Sequence, residues 1–454
     1  MSNRLSGYDI EIPPEWTLER VRDLTSRVGS GITPRGGSDV YQTEGVLFIR
    51  SQNVRFEGLD LSDVAFIDQK THRSMAGSKA LPFDVLLNIT GASIGRCCVL
   101  PDGLGEANVN QHVCTVRLEE ATPQDAEFLS STLASPIGQN QIFRLNAGGN
   151  REGLNYEQLR AIEVPWPRPN ERKKIARILT TLDNLIEKTG ALIAKYQAIK
   201  QGMMHDLFSR GVDSSGQLRP TQEQAPDLYK QSELGWIPKE WDEGWLADEI
   251  GPITSGWSPL CDSVPATKDQ WAIQKTTVCV WSGYDETENK RLPGHFQPRP
   301  HLEVQKDDIL VTRKGPFDRV GVVVHVHETR PKLMFPDTVF RLRLKNEKDV
   351  LPAFVPFALG SDAVQSDWYG RKIGLADAQV NINHGILKTT YFPKPKPDEQ
   401  QMIVTRLSQI QGLIRAEEKQ LNKLSSVKSG LVQDLLTGKV HVKVGEAEEV
   451  AAHA

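Results

Sequence analysis

The sequence has little of what secreted, membrane-spanning and disulfide-bonded proteins contain. Its five cysteines are odd in number and show no C-x-x-C spacing, which argues against a disulfide framework and a thiolate zinc site. No apolar run approaches the length of a membrane span. Residues 1–16 lack the apolar core of a signal peptide. We therefore expect reduced cysteines in strands or core positions and a cytoplasmic location.

Motifs of catalytic sites are missing as well. There is no G-x-G-x-x-G or G-x-x-x-x-G-K-[ST] loop for a cofactor or nucleotide, and no Asn-Pro-Pro-aromatic segment of a methyltransferase. His325 and His327 share one face of a predicted strand, but no third metal ligand is spaced with them. Pro336 and Asp337 are like the start of a metal-dependent nuclease core, yet no convincing Glu-x-Lys follows them. The residues thus predict a non-catalytic chain without a metal or cofactor of its own.

An excess of positive charge is the third absence. The chain has 54 lysines and arginines against 58 aspartates and glutamates, a formal net charge of −4. A simple nucleic-acid-coating protein is basic as a whole. Any contact of this chain with nucleic acid must therefore come from local patches, or from a complex in which partners supply much of the charge.

The dominant feature that is present is a long helical pattern that occurs twice. Residues 171–208 and 399–436 match when the first copy is shifted by 228 positions, so that Glu171 meets Glu399. Alternating prolines precede each copy and a glycine follows it, as helix start and stop signals do. Two unrelated amphipathic core helices, the alternative interpretation, would not explain a repeat of this kind.

Each copy has the apolar period of a coiled-coil helix. One apolar row recurs every seven residues, with a second row three places on and a third beside it, which suits packing against another helix. Thr189 and Glu417 interrupt the rows at equivalent places, where a polar residue can fix register at some cost in stability. A helix of this length runs to about 57 Å, and the simplest partner for each copy is the other. The residues predicted to pack the pair are Ile175, Leu182, Leu185, Leu192, Tyr196, Ile403, Ile410, Leu413, Leu424 and Leu431.

A second repeated block begins each half of the chain. Residues 12–34 align with residues 237–259 at a shift of 225, and eight of the 23 positions are identical. Each block opens with Ile-Pro-x-Glu-Trp and closes with Ser-Gly-x-[ST]-Pro. We expect Trp16 and Trp241 to seat this extended segment on the body of the domain rather than to stack on a ligand.

The middles of the two halves are nearly equal in length but unlike in sequence. Residues 45–116 and 276–344 alternate apolar strands with Gly, Asp and Pro turns. A helical segment follows each group of strands, at residues 125–143 and 351–370. Repeated segments at both ends of each half, around dissimilar central regions, indicate one scaffold that presents two different recognition regions, here called readers.

This pattern predicts an α+β protein with an internal pseudo-two-fold repeat. Two antiparallel helices would set the distance between the readers, and their outer faces would give a partner two nearly equivalent docking surfaces. DNA-binding dimers use the same geometry, with the spacing of the half-sites set by the protein.

On these motifs the chain resembles the DNA specificity subunit of a type I restriction-modification enzyme. The resemblance rests on the Ile-Pro-x-Glu-Trp and Ser-Gly-x-[ST]-Pro segments, and on the Pro-x-Pro-x-Pro-x-Glu starts of the long helices. The helix ends Met-His-Asp-Leu-Phe and Val-Gln-Asp-Leu-Leu-Thr-Gly complete it. Each motif alone is weak, but all of them, twice and in this order, cover nearly the whole chain. One departure is Arg172 and Lys173, where the second copy has Gln400 and Gln401; it would change only a local partner contact.

The resemblance implies two globular target-recognition domains separated by two long antiparallel coiled-coil helices. Each domain would read one half of a split, asymmetric DNA sequence. The helices would set the unread gap and dock two methyltransferase subunits, to which two restriction/motor subunits can add. S-adenosylmethionine, ATP and Mg²⁺ are then expected in the partner subunits. The implied segments are residues 1–165 (first domain), 166–210 (first helix), 211–236 (connector), 237–394 (second domain), 395–438 (second helix) and 439–454 (tail).

Two other functions stay open on the sequence alone. One is a coiled-coil assembly scaffold, which would bind every duplex with equal affinity. The other is a nuclease or methyltransferase of unusual sequence, which would show metal- or cofactor-dependent activity in the isolated chain.

Residues that contact DNA are sought in the polar loops beside the predicted strands. Arg, Lys, Asn and Gln read base edges, and hydroxyls, cations and backbone N–H groups hold phosphates. In the first domain the candidates are Arg50, Ser51, Gln52, Asn53, Arg55, Thr90, Ser93, Arg96, Asn108, Asn110, Gln111, Asn146, Asn150 and Arg151. In the second domain they are Lys275, Thr276, Thr277, Trp281, Tyr284, Arg313, Lys314, Arg319, Arg371, Lys372 and Asn381.

Each of these candidates has a simpler interpretation as a solvated turn residue. Most polar loop residues face water or cap turns, so we expect about one in three to touch DNA. Asn155 and Asn383 lie at equivalent places in the two halves, just before the proline-rich starts of the long helices. For this pair a structural cap is favoured over base reading.

Overall fold

The computed structural model describes residues 4–5, 11–147, 153–374 and 379–443. These residues form an α+β protein of short strands, short helices and two helices far longer than the rest. The chain divides into two compact units: unit 1 is Met1–Thr189 with Gln420–Ala454, and unit 2 is Gly190–Lys419. Each unit therefore includes one group of strands and a part of each long helix.

The strands of unit 1 form two four-stranded sheets and two short pairs. They are β1 Thr17–Arg20, β2 Thr25–Ser30, β3 Val46–Ile49, β4 Val54–Arg55, β5 Gly58–Leu59, β6 Ala65–Ile67, β7 Lys79–Ala80, β8 Val85–Asn88, β9 Cys97–Val99, β10 Ala107–Val109, β11 Val113–Leu118 and β12 Glu163–Trp166. One sheet has the order β6-β3-β10-β7, with only β3 and β10 parallel. The other is antiparallel with the order β2-β11-β8-β9, while β1 pairs with β12 and β4 with β5.

Unit 2 repeats this topology. Its strands are β13 Tyr229–Ser232, β14 Gly235–Pro238, β15 Asp242–Trp245, β16 Thr254–Ser255, β17 Ala272–Gln274, β18 Cys279–Val280, β19 Gly283–Tyr284, β20 Asn289–Arg291, β21 Ile309–Thr312, β22 Lys314–Gly315, β23 Val323–His325, β24 Leu333–Met334, β25 Val339–Leu342, β26 Val380–Asn381 and β27 Tyr391–Lys394. The order β16-β25-β21-β23 corresponds to β2-β11-β8-β9, and β20-β17-β24, with β17 and β24 parallel, corresponds to β6-β3-β10. The internal repeat thus continues in the fold through the middles, where the sequences are unlike.

The helices confirm the repeated long pattern and divide the shorter segments more finely. They are α1 Val21–Leu24, α2 Gln69–Ser74, α3 Pro123–Ala134, α4 Pro136–Ala147, α5 Tyr156–Arg160, α6 Pro169–Ser209, α7 Leu246–Glu249, α8 Val355–Leu359, α9 Asp362–Arg371, α10 His384–Lys388 and α11 Pro397–Leu436. The single helical segment predicted for residues 125–143 is two helices, because Pro136 cannot continue α3 and instead begins α4.

In each unit, parts of α6 and α11 run antiparallel. In unit 1, Ile175 and Leu179 share a core with Leu435 and Leu436. In unit 2, Leu207 packs in one core with Ile403 and Leu407. The apolar row next to the predicted seam carries much of the burial, since Leu179, Ile193, Leu407 and Ile414 are buried.

Burial of the predicted packing residues is uneven. Ile175, Ile403 and Ile410 are buried, and Leu182, Leu192, Tyr196, Leu424 and Leu431 are half-buried. Leu185 and Leu413 differ from the prediction, because their side chains are 44% and 48% exposed. They belong to the row three places on, which also contains the exposed Ile199 and Val427. Other members of this row are less exposed, since Ile178 packs against the core of unit 1 and Leu192 is half-buried. We call the four exposed residues, Leu185, Ile199, Leu413 and Val427, the outward row.

The two repeated tryptophans lie where the blocks meet the long helices. Trp16 and Trp241 are almost completely buried, as predicted for residues that seat a segment. In unit 1, Trp16 Nε1 donates to Glu171 Oε2 at 3.0 Å. In unit 2, Glu399 accepts from the Arg219 guanidinium at 2.6 Å and from the Val212 backbone N–H at 2.8 Å. The first glutamate of each long helix thus ties that helix to its own unit.

The cysteines and the apolar segments agree with the sequence. All five cysteines are free thiols; Cys97, Cys98, Cys114 and Cys279 are buried in strands, and Cys261 is half-buried. In the parts of the chain that the structure describes, none of the helices combines the length and apolar character needed to cross a membrane.

Candidate nucleic-acid interface

In unit 1 a buried amide gathers two of the predicted loops at the end of β8. Asn88, fully buried, donates from Nδ2 to the Ser51 carbonyl oxygen at 2.8 Å and to Ser93 Oγ at 3.1 Å. Ser51 follows β3 and Ser93 follows β8, so the two loops meet although they are far apart in sequence. Arg96, in the same turn, is exposed.

His112 organises the neighbouring loops. Its Nδ1 forms a hydrogen bond with Thr90 Oγ1, its Nε2 lies 3.3 Å from Gln111 Nε2, and its backbone N–H donates to Asn110 Oδ1 at 3.0 Å. Asn146 Oδ1 accepts from the Gly153 N–H at 3.1 Å, and Gly153 bridges to Thr90. These loops thus form one polar surface around His112, which the sequence reasoning missed. Asn150 and Arg151, predicted beside it, lie outside the described residues.

The cluster that follows β3 is engaged within the protein. Arg50 Nη2 lies 3.2 Å from Asp63 Oδ1, Gln52 also donates to Asp63, and Arg55 pairs with Asp60 at 2.7 Å. Hydrogen bonds from Ser62 are the main cause that lowers the pKa of Asp60, so this carboxylate stays charged. Because carboxylates neutralise both arginines, this cluster is a weaker DNA candidate than its composition suggested.

Three predicted base-reading amides have structural roles. Asn53 is 2% exposed and donates to the Asp60 and Asp63 carbonyl oxygens at 3.0 and 2.7 Å. Asn108 is fully buried between His72, Met75 and Ser78, and both of its side-chain polar atoms bond to these residues. Asn110, whose Oδ1 accepts from the His112 N–H, is also buried, with 8% of its surface exposed. A base edge cannot reach a buried side chain, so we leave all three residues out of the candidate interface.

Unit 2 has a groove at the place equivalent to the Thr90 loop. A cavity of about 570 Å³ is lined by Arg313, Lys314 and Asn381, three of the predicted residues, with Ser255 and His384. The Lys314 and Asn381 strands pair with each other. The Arg313 guanidinium lies 4.9 Å from the centre of the Phe340 ring, a cation–π contact.

Arg313 has unused hydrogen-bonding capacity in this groove. Its buried Nε has no hydrogen-bond partner among the described residues. Burial first, then the charges of Lys388 and Arg313, lowers the pKa of His384, so His384 is neutral at pH 7. The cationic part of the groove is therefore Arg313 with the exposed Lys314.

The other predicted residues of unit 2 have partners inside the protein. Lys275 and Thr277 bond to Glu288, and Thr276 bonds to Thr338 at 2.6 Å. Tyr284 bonds to Gln274 and Thr329, and burial is the main cause that raises its pKa. Of the remaining candidates, Arg371 pairs with Asp367, and Lys372 donates to the Phe317 carbonyl oxygen. Arg319 is half-buried, and Trp281 lies beside the long helices.

The repeated Ser-Gly segments border both candidate surfaces. Ser30 Oγ lies 2.6 Å from the Tyr156 hydroxyl in unit 1, and Ser255 lines the same groove as His384 in unit 2. Two sequence signals could have identified these residues. Ser30 and Ser255 belong to the repeated Ser-Gly segments, and Tyr156 and His384 directly follow the repeated asparagines. A Cβ on Gly31 would lie 1.7 Å from the Val109 carbonyl oxygen, so only glycine permits this approach.

The helix-cap alternative for the repeated asparagines now has an answer. Asn155 and Asn383 are helix N-caps, accepting from the backbone N–H of Gln158 and Ile386, which confirms the structural interpretation. No group of three or more His, Cys, Asp or Glu side chains within the described ranges could hold a metal ion. His325 Nε2 instead bonds to Asp307 Oδ1 at 2.8 Å.

Comparison with known proteins was made by family model, by sequence and by structure. Residues 76–195 match the family model for the type I restriction modification DNA specificity domain. The specificity subunit of the type I restriction enzyme EcoEI from Escherichia coli is 34% identical over 172 residues, 38% of this chain and 29% of that subunit. A candidate type I specificity subunit, MjaX of Methanocaldococcus jannaschii, is 24% identical and aligns over 95% of both chains.

Structural comparison agrees on the fold. The type I restriction-modification S subunit from M. genitalium superposes with a TM-score of 0.59 at 14% identity, over 98% of this chain and all of that one. These relatives are named as specificity subunits, in agreement with the prediction of a non-catalytic chain. The chain thus carries a type I restriction modification DNA specificity domain and resembles, over nearly its whole length, the specificity subunits of these systems.

Proposed function

We propose that this chain is the sequence-specific DNA-binding subunit of a type I restriction-modification complex, and that each unit reads one half of a bipartite, asymmetric target. The observation that carries the proposal is the repeat itself. One sheet topology occurs twice, and the polar loops at equivalent strand ends differ in chemistry. Hydroxyl, amide and imidazole groups line the surface of unit 1, whereas Arg313 and Lys314 line the groove of unit 2.

The long helices would set the unread gap and carry the partners. In the outward row, Leu185 and Leu413 are equivalent at the shift of 228, and so are Ile199 and Val427. Their recurrence at equivalent positions of the two helices is the reason to propose them as contact surfaces. Two methyltransferase subunits would each bind one copy of this surface and supply S-adenosylmethionine chemistry. Restriction/motor subunits would add ATP- and Mg²⁺-dependent activities.

The decisive experiment maps modified adenines in the DNA of cells that carry the methyltransferase subunit with or without this chain. A split motif that needs this chain is the expected result. Exchange of residues 260–390 for those of a related subunit should then change one half of the motif only. A change in both halves would contradict the two-reader arrangement. Equal binding to every duplex would support the assembly-scaffold alternative instead.

The groove in unit 2 gives a sharper test. Arg313→Ala with Lys314→Ala removes the cations that face it, and should lower affinity for the target by about tenfold or more, the value of one good base or phosphate contact. Lys275→Ala is the matched control, because Lys275 pairs with Glu288 at 3.4 Å. Equal losses in fluorescence-anisotropy titrations of both variants would remove the groove from the interface.

A further inference from the structure

A hairpin tip of unit 2 lies against the two long helices. The tip, residues 280–283, joins β18 to β19 and borders a cavity of about 1020 Å³ that α6 and α11 also line. Trp281 at the tip is a large, half-exposed aromatic residue, which the sequence suggested as a DNA contact. Its position beside the helices calls for a different role.

Three side chains of the helices bind the backbone of this tip. From α6, Lys200 Nζ donates to the Trp281 carbonyl oxygen at 2.9 Å. From α11, Gln411 Nε2 donates to the Ser282 carbonyl oxygen at 2.8 Å, and Arg415 Nε donates to the same oxygen. Two of the three donors are cations, and hydrogen bonds from charged donors are the stronger kind.

Gly283 allows this close approach. Its φ is +130°, and a Cβ built on it would lie 1.9 Å from an Arg415 nitrogen. A residue with a side chain would be strained in that conformation and would push the guanidinium away. The positive φ and the nearby guanidinium therefore both favour glycine at this position.

Lys200 stays at this contact although its surroundings disfavour its charge. Burial, followed by the nearby Arg415 charge, lowers the pKa of Lys200 to about 8, and Glu418 opposes the shift. The ammonium group also lies 6.0 Å from the centre of the Phe357 ring. At neutral pH most of these lysines remain charged, so the bond to Trp281 keeps its ionic character.

The repeat shows what the same positions do in unit 1. At the shift of 228, Lys200 corresponds to Lys428 and Gln411 corresponds to Asp183. In unit 1 the lysine pairs with the aspartate, helix to helix. In unit 2 the aspartate is replaced by a neutral glutamine, which leaves the lysine free of that pairing. Lys200 and Gln411 both donate hydrogen bonds to carbonyl oxygens of the hairpin instead.

We infer that Lys200, Gln411 and Arg415 form a clamp that fixes the second recognition region on the helix pair, and that they act as positioning residues for the length of the gap in the DNA target. The inference rests on the proposed function. The clamp residues touch neither base nor phosphate. They fix the orientation of the groove of unit 2 relative to the DNA duplex. They therefore determine how strongly the complex discriminates against targets whose gap is longer or shorter than the native one.

The principal variant is Gln411→Asp, which copies the chemistry of unit 1. The new carboxylate should draw Lys200 into an ion pair between the two helices. This should release the hairpin, while the helices keep their lengths. Lys200→Ala with Arg415→Ala removes the clamp cations directly. Lys195→Ala, an exposed lysine on the same helix, is the control.

The readout is methylation by the complex with the methyltransferase subunit. Duplexes carry both half-targets, separated by the native gap or by one base pair more or less. Both clamp variants should raise the rate on wrong-gap relative to native-gap duplexes by about tenfold, the effect of losing a charged hydrogen bond. Discrimination within each half-target should be unchanged. Native gap discrimination in both variants would overturn the inference.

Hydrogen exchange of the free, full-length chain separates this inference from the proposed function. Amides of residues 281–284 should exchange faster in Gln411→Asp than in the wild-type chain, while the β21 and β25 amides keep their protection. Unchanged exchange at the hairpin would show that the clamp does not hold it. A wild-type complex without any split motif would refute the proposed function and leave the exchange result standing.

Discussion

Single glycines determine where the backbones of these units can touch. Gly31 and Gly256 occupy the repeated Ser-Gly segments, and a Cβ on Gly256 would lie 2.2 Å from the Phe335 carbonyl oxygen. In both units a serine beside the candidate DNA surface is held in place by this approach. The chemistry of the surface therefore depends on residues that have no functional group.

Gly31→Ala should destabilise unit 1, because a methyl group would meet the Val109 carbonyl and force the backbone apart. Overpacking of this kind costs about 2–3 kcal/mol, which lowers the apparent Tm by about 5 °C or more. Gly29→Ala, two residues away, is the matched control, since its nearest neighbour would be an Arg27 atom at 3.6 Å. Calorimetry of both variants would contradict this account if their Tm values fell equally.

At the residue scale the sequence predicted which loops carry polar side chains but not what those side chains bind. Asn108 was assigned to a loop, yet it lies in β10 and bonds to His72 of α2. Arg50 and Gln52 share Asp63, and such partners depend on how the sheets fold. Arg313 and Lys314 were predicted to flank a turn, and they lie directly after strand β21, where they line the groove of unit 2. A polar residue at a strand end was the informative signal.

At the scale of elements, the residue after the first glutamate of each long helix also holds the start of that helix. Arg172 Nε donates to Asp125 Oδ1 at 2.8 Å and its Nη1 to the Pro167 carbonyl oxygen at 2.6 Å. In unit 2 Gln400 donates to the equivalent Pro395 carbonyl oxygen at 2.8 Å. The departure from the family pattern at Arg172 thus adds an ion pair to α3 and keeps the bond to the proline segment.

Arg172→Ala should cost unit 1 about 3 kcal/mol at pH 7, because it leaves the buried Asp125 carboxylate without its cation. Arg172→Gln should cost less, since glutamine can keep the bond to Pro167. Burial opposes the ionisation of Asp125, but bonds from Thr122 and Arg172 prevail and lower its pKa below 3.8. The pair therefore contributes fully above about pH 4, and its contribution is lost as the pH falls through the lowered pKa.

Urea unfolding of the three chains at pH 7 and pH 3 measures this effect. The difference between wild type and Arg172→Ala should be largest at pH 7 and smaller at pH 3. A difference that does not change with pH would show that packing against Trp166, whose ring lies 4.2 Å from the guanidinium, matters more than the charge.

Sequence periodicity predicted the long helices to within two residues at their starts, at Pro169 against Glu171 and Pro397 against Glu399. It could not tell which two of three apolar rows face the partner helix. Straight helices turn by 3.6 residues, so a stripe spaced by seven drifts around the helix. Leu185 and Leu413 are therefore exposed, although the spacing of their row fits a seam as well as that of the neighbouring rows.

At the scale of the whole molecule, the end of each long helix packs against the repeated block of one unit. The glycine after α11, Gly438, lies against Pro13 in unit 1, where a Cβ would be 2.4 Å from that ring. The glycine after α6, Gly211, lies against Trp241 in unit 2 in the same way. Each long helix thus ends on the starting block of a unit. The two repeated halves of the chain therefore form two units with the same contacts at the ends of their helices.

The repeat predicts two equivalent binding sites for a partner, and each site can be removed separately. Leu185→Glu alters unit 1 and Leu413→Glu alters unit 2, and both side chains are exposed, so neither change should unfold the chain. Each single variant should bind one methyltransferase subunit in place of two, and the double variant should bind none. Light scattering of the purified complexes gives the stoichiometry, with Leu185→Met as the control that keeps an apolar surface. Two subunits still bound to the double variant would exclude this row as the docking surface, while two bound to one single variant and one to the other would show that the two copies of the surface differ in function.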